Sequence, residues 1–165
     1  MDFTGYLRRI MNKDAAETFN QATDSLEALQ IQMSALVTGA GIPQEKPMTF
    51  DLNQAAATYN LCIGAVQPVE ILRFVIRMSG GAVGGAVTSI SIQTDDATPQ
   101  VIFPSAVLPV AKLTNEAQFA WTEGKIYLKV GKHIQLTING GAAGIACVID
   151  IVADYAAIVN GGTLI

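Results

Sequence analysis

Charged side chains are scarce in this sequence: Asp, Glu, Lys and Arg make up 15% of its 165 residues, against roughly a quarter in an ordinary soluble domain. Alanine accounts for some of the shortfall, since it covers elements without creating strong apolar patches. The rest points to a surface that partners cover. Basic residues are too few and too scattered to follow a phosphate backbone, and the formal charge is −4, which excludes nucleic acid as a partner. Only Cys62 and Cys147 are available for sulfur chemistry. Each sits in an apolar, strand-like setting and reads as a reduced core thiol rather than part of a disulfide scaffold, which leaves the compartment open. Long apolar runs are also missing. The two arginines of MDFTGYLRRI precede no apolar leader core, and no stretch of about 18 apolar residues exists to span a bilayer. The chain therefore reads as soluble, with no membrane partner.

What is present suits one main core. Half of the residues are hydrophobic, and the length allows a compact domain plus an extra element. Asp14 and Glu17 have the spacing of a capping box, which predicts a helix start. Phe19, Ala22, Leu26, Leu29, Met33 and Leu36 then recur at spacings of three and four, forming one narrow heptad seam. Thr38, Gly39, Gly41 and Pro43 end the run. Such a seam docks on its own domain or meets copies of itself. The flanking Thr23, Ser25, Gln30 and Gln32 neither repel in a symmetric bundle nor select a partner. The predicted organisation is a helical arm over 1–42, a linker over 43–54 and a β-domain over 55–165.

From Tyr59, Leu61 and Ile63 onward the periodicity changes to two. Leu72, Phe74, Ile76 and Met78 fall on one face, with Arg73 and Arg77 on the other. Thr88, Ile90 and Ile92 follow a glycine-rich connection, and Gln100 to Phe103 suggests a further short strand. Ile126, Leu128 and Val130 on one side of Gly131, with Ile134, Leu136 and Ile138 on the other, predict a hairpin. The run from Ile145 to Val152 fits helix or strand, and its β-branched residues favour strand. Seven or eight strands of this kind predict a mainly β fold: a compact antiparallel β-sandwich, of which a jelly roll is one form.

Recognisable chemistry is sparse. His133 has no Ser, Cys or second His nearby in sequence. Asp95 with Asp96, and Asp150 with Asp154, lack a metal-ligand pattern. Gly80–Gly85 lacks the Lys-Ser or Lys-Thr ending of a nucleotide loop, and Gly140, Gly141 and Gly144 lack the helix and acidic residue of a dinucleotide fingerprint. These observations give no catalytic residue, no metal site and no cofactor. Phe119, Trp121 and Tyr127 offer the alternative of an aromatic sugar platform, hence a β-sandwich carbohydrate-binding module. The competing reading is that these rings complete a core or interface.

The segments ATDSLEALQIQMSAL, YNLCIGAVQPVEILRFVIRMSG and GGAAGIACVIDIV together resemble small virion proteins of tailed bacteriophages, capsid decoration proteins among them. The resemblance implies a non-enzymatic structural protein at the capsid surface, soluble before assembly. It further implies attachment to a major capsid or other virion protein, often as a homotrimer. In that setting Phe19, Leu26, Leu29, Met33 and Leu36 would be assembly contacts.

Overall fold

The computed structural model describes residues 15, 17, 18, 20–29, 40–80 and 83–165, and the chain divides into two compact units, Met1–Val37 and Thr38–Ile165. In the first unit, residues 20–29 are α-helical. Ser25 donates its hydroxyl to the Gln21 carbonyl at 2.7 Å, one turn back. Of the expected seam, Leu26 and Leu29 lie in this helix and are 69% and 57% exposed. Phe19, Met33 and Leu36, and the proposed cap Asp14, lie outside the described residues.

The second unit is built from strands β1 (Pro43–Asp51), β2 (Thr58–Ala65), β3 (Val69–Met78), β4 (Ser89–Thr94), β5 (Val101–Phe103), β6 (Gln118–Trp121), β7 (Ile126–Leu128), β8 (His133–Asn139), β9 (Val148–Ala157) and β10 (Thr163–Leu164). One sheet, here called sheet A, runs β1-β9-β3-β6, with β7 also paired to β3; sheet B runs β10-β2-β8-β4-β5. All the named pairings are antiparallel. Alternation explains why the sheets pack: β3 contributes Phe74, Ile76 and Met78, β9 contributes Ile149 and Ile151, and β8 contributes Ile134, Leu136 and Ile138 to one buried apolar cluster. Phe74 of sheet A meets Phe103 of sheet B edge to face, with ring centroids 6.4 Å apart, and so ties the two layers together. The fold is therefore mainly β, with two antiparallel sheets in a sandwich-like arrangement and an N-terminal helix, as the period-two patterning predicts.

Several local expectations change. The stretch expected as a linker, 43–54, instead contributes the nine-residue strand β1, paired with β9 from Pro43↔Ala156 to Asp51↔Val148. Pro43 and Pro47 are compatible with it because β1 is an edge strand. Residues four apart direct their nitrogens to the same side, and the missing donors belong on the open edge, where they blunt pairing with another chain. Leu72 is not on the buried face of β3. The register slips between Ile71 and Arg73, so the inward set is Val69, Ile71, Phe74, Ile76 and Met78. A second slip between Asn60 and Cys62 turns Cys62, not Ile63, into the core. The expected hairpin about Gly131 does not form. β7 pairs with β3 in sheet A, whereas β8 pairs with β2 and β4 in sheet B, so the connection passes from one layer to the other. Val130 is exposed on that crossing. Ile145 is likewise exposed, and the strand begins at Val148.

Candidate functional site

The residues with chemical potential are distributed as follows. His133 opens β8 beside Asp95, which follows β4. The backbone N–H of His133 donates to Asp95 Oδ1 at 2.9 Å, and its ring Nδ1 lies 2.9 Å from Asp95 Oδ2. Desolvation works against the Asp95 charge, but the hydrogen bonds from the His133 ring and backbone and the nearby Lys132 outweigh it. Together they hold the carboxyl below its ordinary value. The pair fastens the end of one strand to the start of its neighbour. Among the described residues no group of three or more His, Cys, Asp or Glu is placed to hold a metal ion. Cys62 and Cys147 are buried; burial pushes the Cys62 thiol up to about 11 and raises Cys147 as well, so both thiols stay protonated and unreactive near neutrality.

Among the described glycines of the two glycine-rich stretches, Gly84, Gly85, Gly140 and Gly141 lie where the two stretches pack against each other. Gly140 has φ +92°, and a Cβ there would fall 2.2 Å from the Ala86 carbonyl oxygen; at Gly85, with φ +66°, a Cβ would fall 2.5 Å from that of Ala143. Ala86 donates its N–H to Ala142 at 3.1 Å across the same junction. The backbones approach closer than any side chain allows, and this accounts for the glycines without a bound phosphate.

The three aromatic residues do not converge. Phe119 and Trp121 alternate on β6 and pack against the apolar core, while Tyr127 lies between buried Ile126 and Leu128 and so faces outward, 44% exposed. Trp121 lines an open cleft of about 580 Å³ with Ile102, Phe103, Pro104 and Val107 between strands β5 and β6. Tyr127 instead borders a cleft of about 310 Å³ with Asp96, Gln100 and Lys129. Period two already carried this information: Ile126, Tyr127 and Leu128 cannot all face the same way.

The outer faces of the two sheets differ sharply in charge. On sheet A, Arg73 Nε donates to Asp154 at 2.6 Å, Lys125 reaches Glu70 at 2.9 Å, and Arg77 pairs with Glu116. No strand of sheet B contains Asp, Glu, Lys or Arg. On β2, β8 and β4 the outward pairs Thr58↔Thr137↔Ser91, Asn60↔Gln135↔Gln93 and Asn139↔Ser89 form rows of amides and hydroxyls in register, bounded at one end by His133 beside Ile63. Thr58 Oγ1 and Thr137 Oγ1 are 2.9 Å apart, Gln135 donates to Asn60 at 2.9 Å, and Asn139 donates to Ser89 at 3.1 Å. Every second residue of SISIQT, and of HIQLTIN after His133, is a hydroxyl or an amide.

No family model matches the sequence, and no curated protein matches it. Solved structures do. A chain in the acid-stable capsid of Helicobacter pylori bacteriophage KHP30 matches with TM-score 0.51 at 12% identity, over 76% of this chain and 94% of that one. A chain of the cyanophage Pam1 capsid asymmetric unit matches with TM-score 0.50 at 14% identity, over 72% of this chain and 87% of that one. A cellulose-binding domain of a Cellulomonas fimi glucanase reaches only TM-score 0.32 at 14% identity, over 72% of this chain and 87% of that one, which lends the sugar-binding reading no weight. At these identities the two capsid matches show a common fold.

Proposed function

We propose that this chain is a non-enzymatic structural protein of a phage virion, which attaches to and reinforces the capsid through protein–protein contacts. The observation that carries the reading is the fold shared with two capsid chains, over nearly the whole of each. Strand order adds support. The paths β1-β9-β3-β6 and β2-β8-β4-β5, with β7 and β10 added to them, support a jelly-roll reading, a form built from two Greek keys and used in viral capsids. Low overall charge suits a surface that neighbours bury, because desolvating ions is expensive. The same reading makes the seam an assembly device. Leu26 and Leu29 are exposed in the single chain, and a short helix is marginal unless a partner covers its apolar side. A homotrimer held partly by this helix is the proposed solution form.

Two measurements test this. Purified chain should co-sediment saturably with capsids that lack it, without chemical turnover. Light scattering over a concentration series should give a trimer, and the double variant Leu26→Asp, Leu29→Asp should lower the mass while circular dichroism retains the β signal. Absence of co-sedimentation would overturn capsid attachment. A wild-type monomer well above micromolar concentration would overturn the trimer, and an unchanged mass in the double variant would remove the helix from the contact.

A further inference from the structure

We infer that the outer face of sheet B is a binding platform for a neutral polysaccharide, formed by Asn60, Ser91, Gln93, Gln135 and Thr137. This inference stands independently of the capsid reading and uses none of the aromatic residues first considered for sugar binding.

Solvated sheet faces ordinarily carry lysine and glutamate, which also guard against association. Here all five strands lack Asp, Glu, Lys and Arg, although sheet A of the same domain carries ion pairs across its outer face. Neutral amides and hydroxyls are far cheaper to desolvate than ions, and each offers both donor and acceptor capacity. That is the chemistry of a hydroxyl-rich ligand. The amide and hydroxyl rows carry no lysine or arginine, and Lys132 and His133 at their end are engaged by Asp95, so the rows give little attraction to nucleic acid, lipid phosphate or sulfated glycans.

Preorganisation points the same way. The lateral contacts Thr58 to Thr137, Asn60 to Gln135 and Ser89 to Asn139 hold side chains in fixed rows before any ligand arrives, which lowers the entropy lost on binding. Ser91 and Gln93, by contrast, make no side-chain hydrogen bond to a described residue and lie in register with Thr137 and Gln135. Their donors and acceptors are open to a ligand.

Size argues against a second copy held by these rows alone. Strands about 4.8 Å apart and rows about 6.8 Å apart give a platform of about 15 by 20 Å with side-chain radii included, about 300 Å². A stable protein interface needs roughly 800 Å² per partner, with aromatic or arginine anchors at its centre. The platform has neither the area nor the anchors. A short run of sugar rings fits it. Without an aromatic ring to stack on, affinity for one site falls on the order of 1 mM.

The test is a two-dimensional NMR titration of the full chain with maltohexaose, cellohexaose and laminarihexaose, with a heparin hexasaccharide as the anionic arm. The expected result is a saturable set of shifts from at least one neutral hexaose on β2, β4 and β8, no response to heparin, and at least tenfold weaker binding in Thr137→Lys. Gln93→Ala, which breaks no internal side-chain bond, serves if Thr137→Lys does not fold and should also weaken binding; Trp121→Ala should leave it unchanged. No saturable shift at about 20 mM of any neutral hexaose would overturn the inference. So would shifts centred on Trp121 or Tyr127, equal binding of heparin, or shifts on this face that follow protein concentration without sugar, the mark of self-association.

Discussion

Phe74 is the residue on which the two-layer construction can be tested most sharply. It is fully buried on β3, and its ring meets that of Phe103 on β5, so one contact spans sheet A and sheet B. Truncation to alanine removes a whole ring from a site that has no solvent to refill it, at a cost of about 3–5 kcal/mol. Against the 5–15 kcal/mol of a typical domain this is a large fraction. With a urea slope of about 1.5–2 kcal/mol per molar, the unfolding midpoint should fall by about 2 M. Phe103→Ala should cost a comparable amount. In the double variant the losses should fall short of additive by about 0.5–1.5 kcal/mol, the part belonging to the edge-to-face pair itself. Urea titration followed by tryptophan fluorescence and by circular dichroism reads all four corners of the cycle. A loss below about 1 kcal/mol for Phe74→Ala, or no coupling with Phe103→Ala, would refute the placement of this contact between the sheets.

Gly140→Ala should destabilise by more than about 2 kcal/mol, since it meets both a left-handed backbone and the Ala86 carbonyl, whereas Gly131→Ala, at φ +76° with nothing within 4 Å, should cost only about 1 kcal/mol; thermal melts of the two variants compare them directly. Asp95→Asn should lower stability at pH 7 by about 1–2 kcal/mol, because it removes a charged acceptor from His133. The folded-state pKa of Asp95 lies below its ordinary value, so its contribution is complete above the unfolded carboxylate pKa and is lost as pH falls through the folded one. The gap between wild type and variant should therefore close in acid, and a gap constant from pH 7 to pH 2 would contradict this.

The sandwich was legible wherever the apolar face ran without interruption, as in Ile134, Leu136 and Ile138 or Ile149 and Ile151, because alternation alone separates inside from outside. Bulges defeat that rule. One extra residue near Leu72 and another near Leu61 exchange the faces midway, and neither leaves a local mark in composition. β1 escaped notice because Pro43 and Pro47 suggest a linker, and only tertiary position reveals that their missing donors lie at an open edge. The turn at Gly131 has the same chemistry whether the next strand returns to its neighbour or crosses to the other sheet, so hairpin and crossover look alike in sequence. The aromatic trio is split between faces, because nearness in sequence does not set the side a strand residue takes: Phe119 and Trp121 pack on the core and Tyr127 faces outward. The charge-free face of sheet B escaped attention for the opposite reason: it is written in unremarkable residues, and only the register of three strands brings Asn60, Gln135 and Gln93 into one row.

The central claim, the proposed structural place in a phage particle, is tested most directly by cryo-electron microscopy of purified virions of any phage whose genome carries the gene for this chain. The account predicts density on the capsid into which the two-sheet unit fits, with sheet order β1-β9-β3 facing β2-β8-β4-β5, in regular copies at symmetry-related positions. Virions whose reconstructed shell contains no such density, and whose peptides by mass spectrometry contain none from this chain, would contradict it.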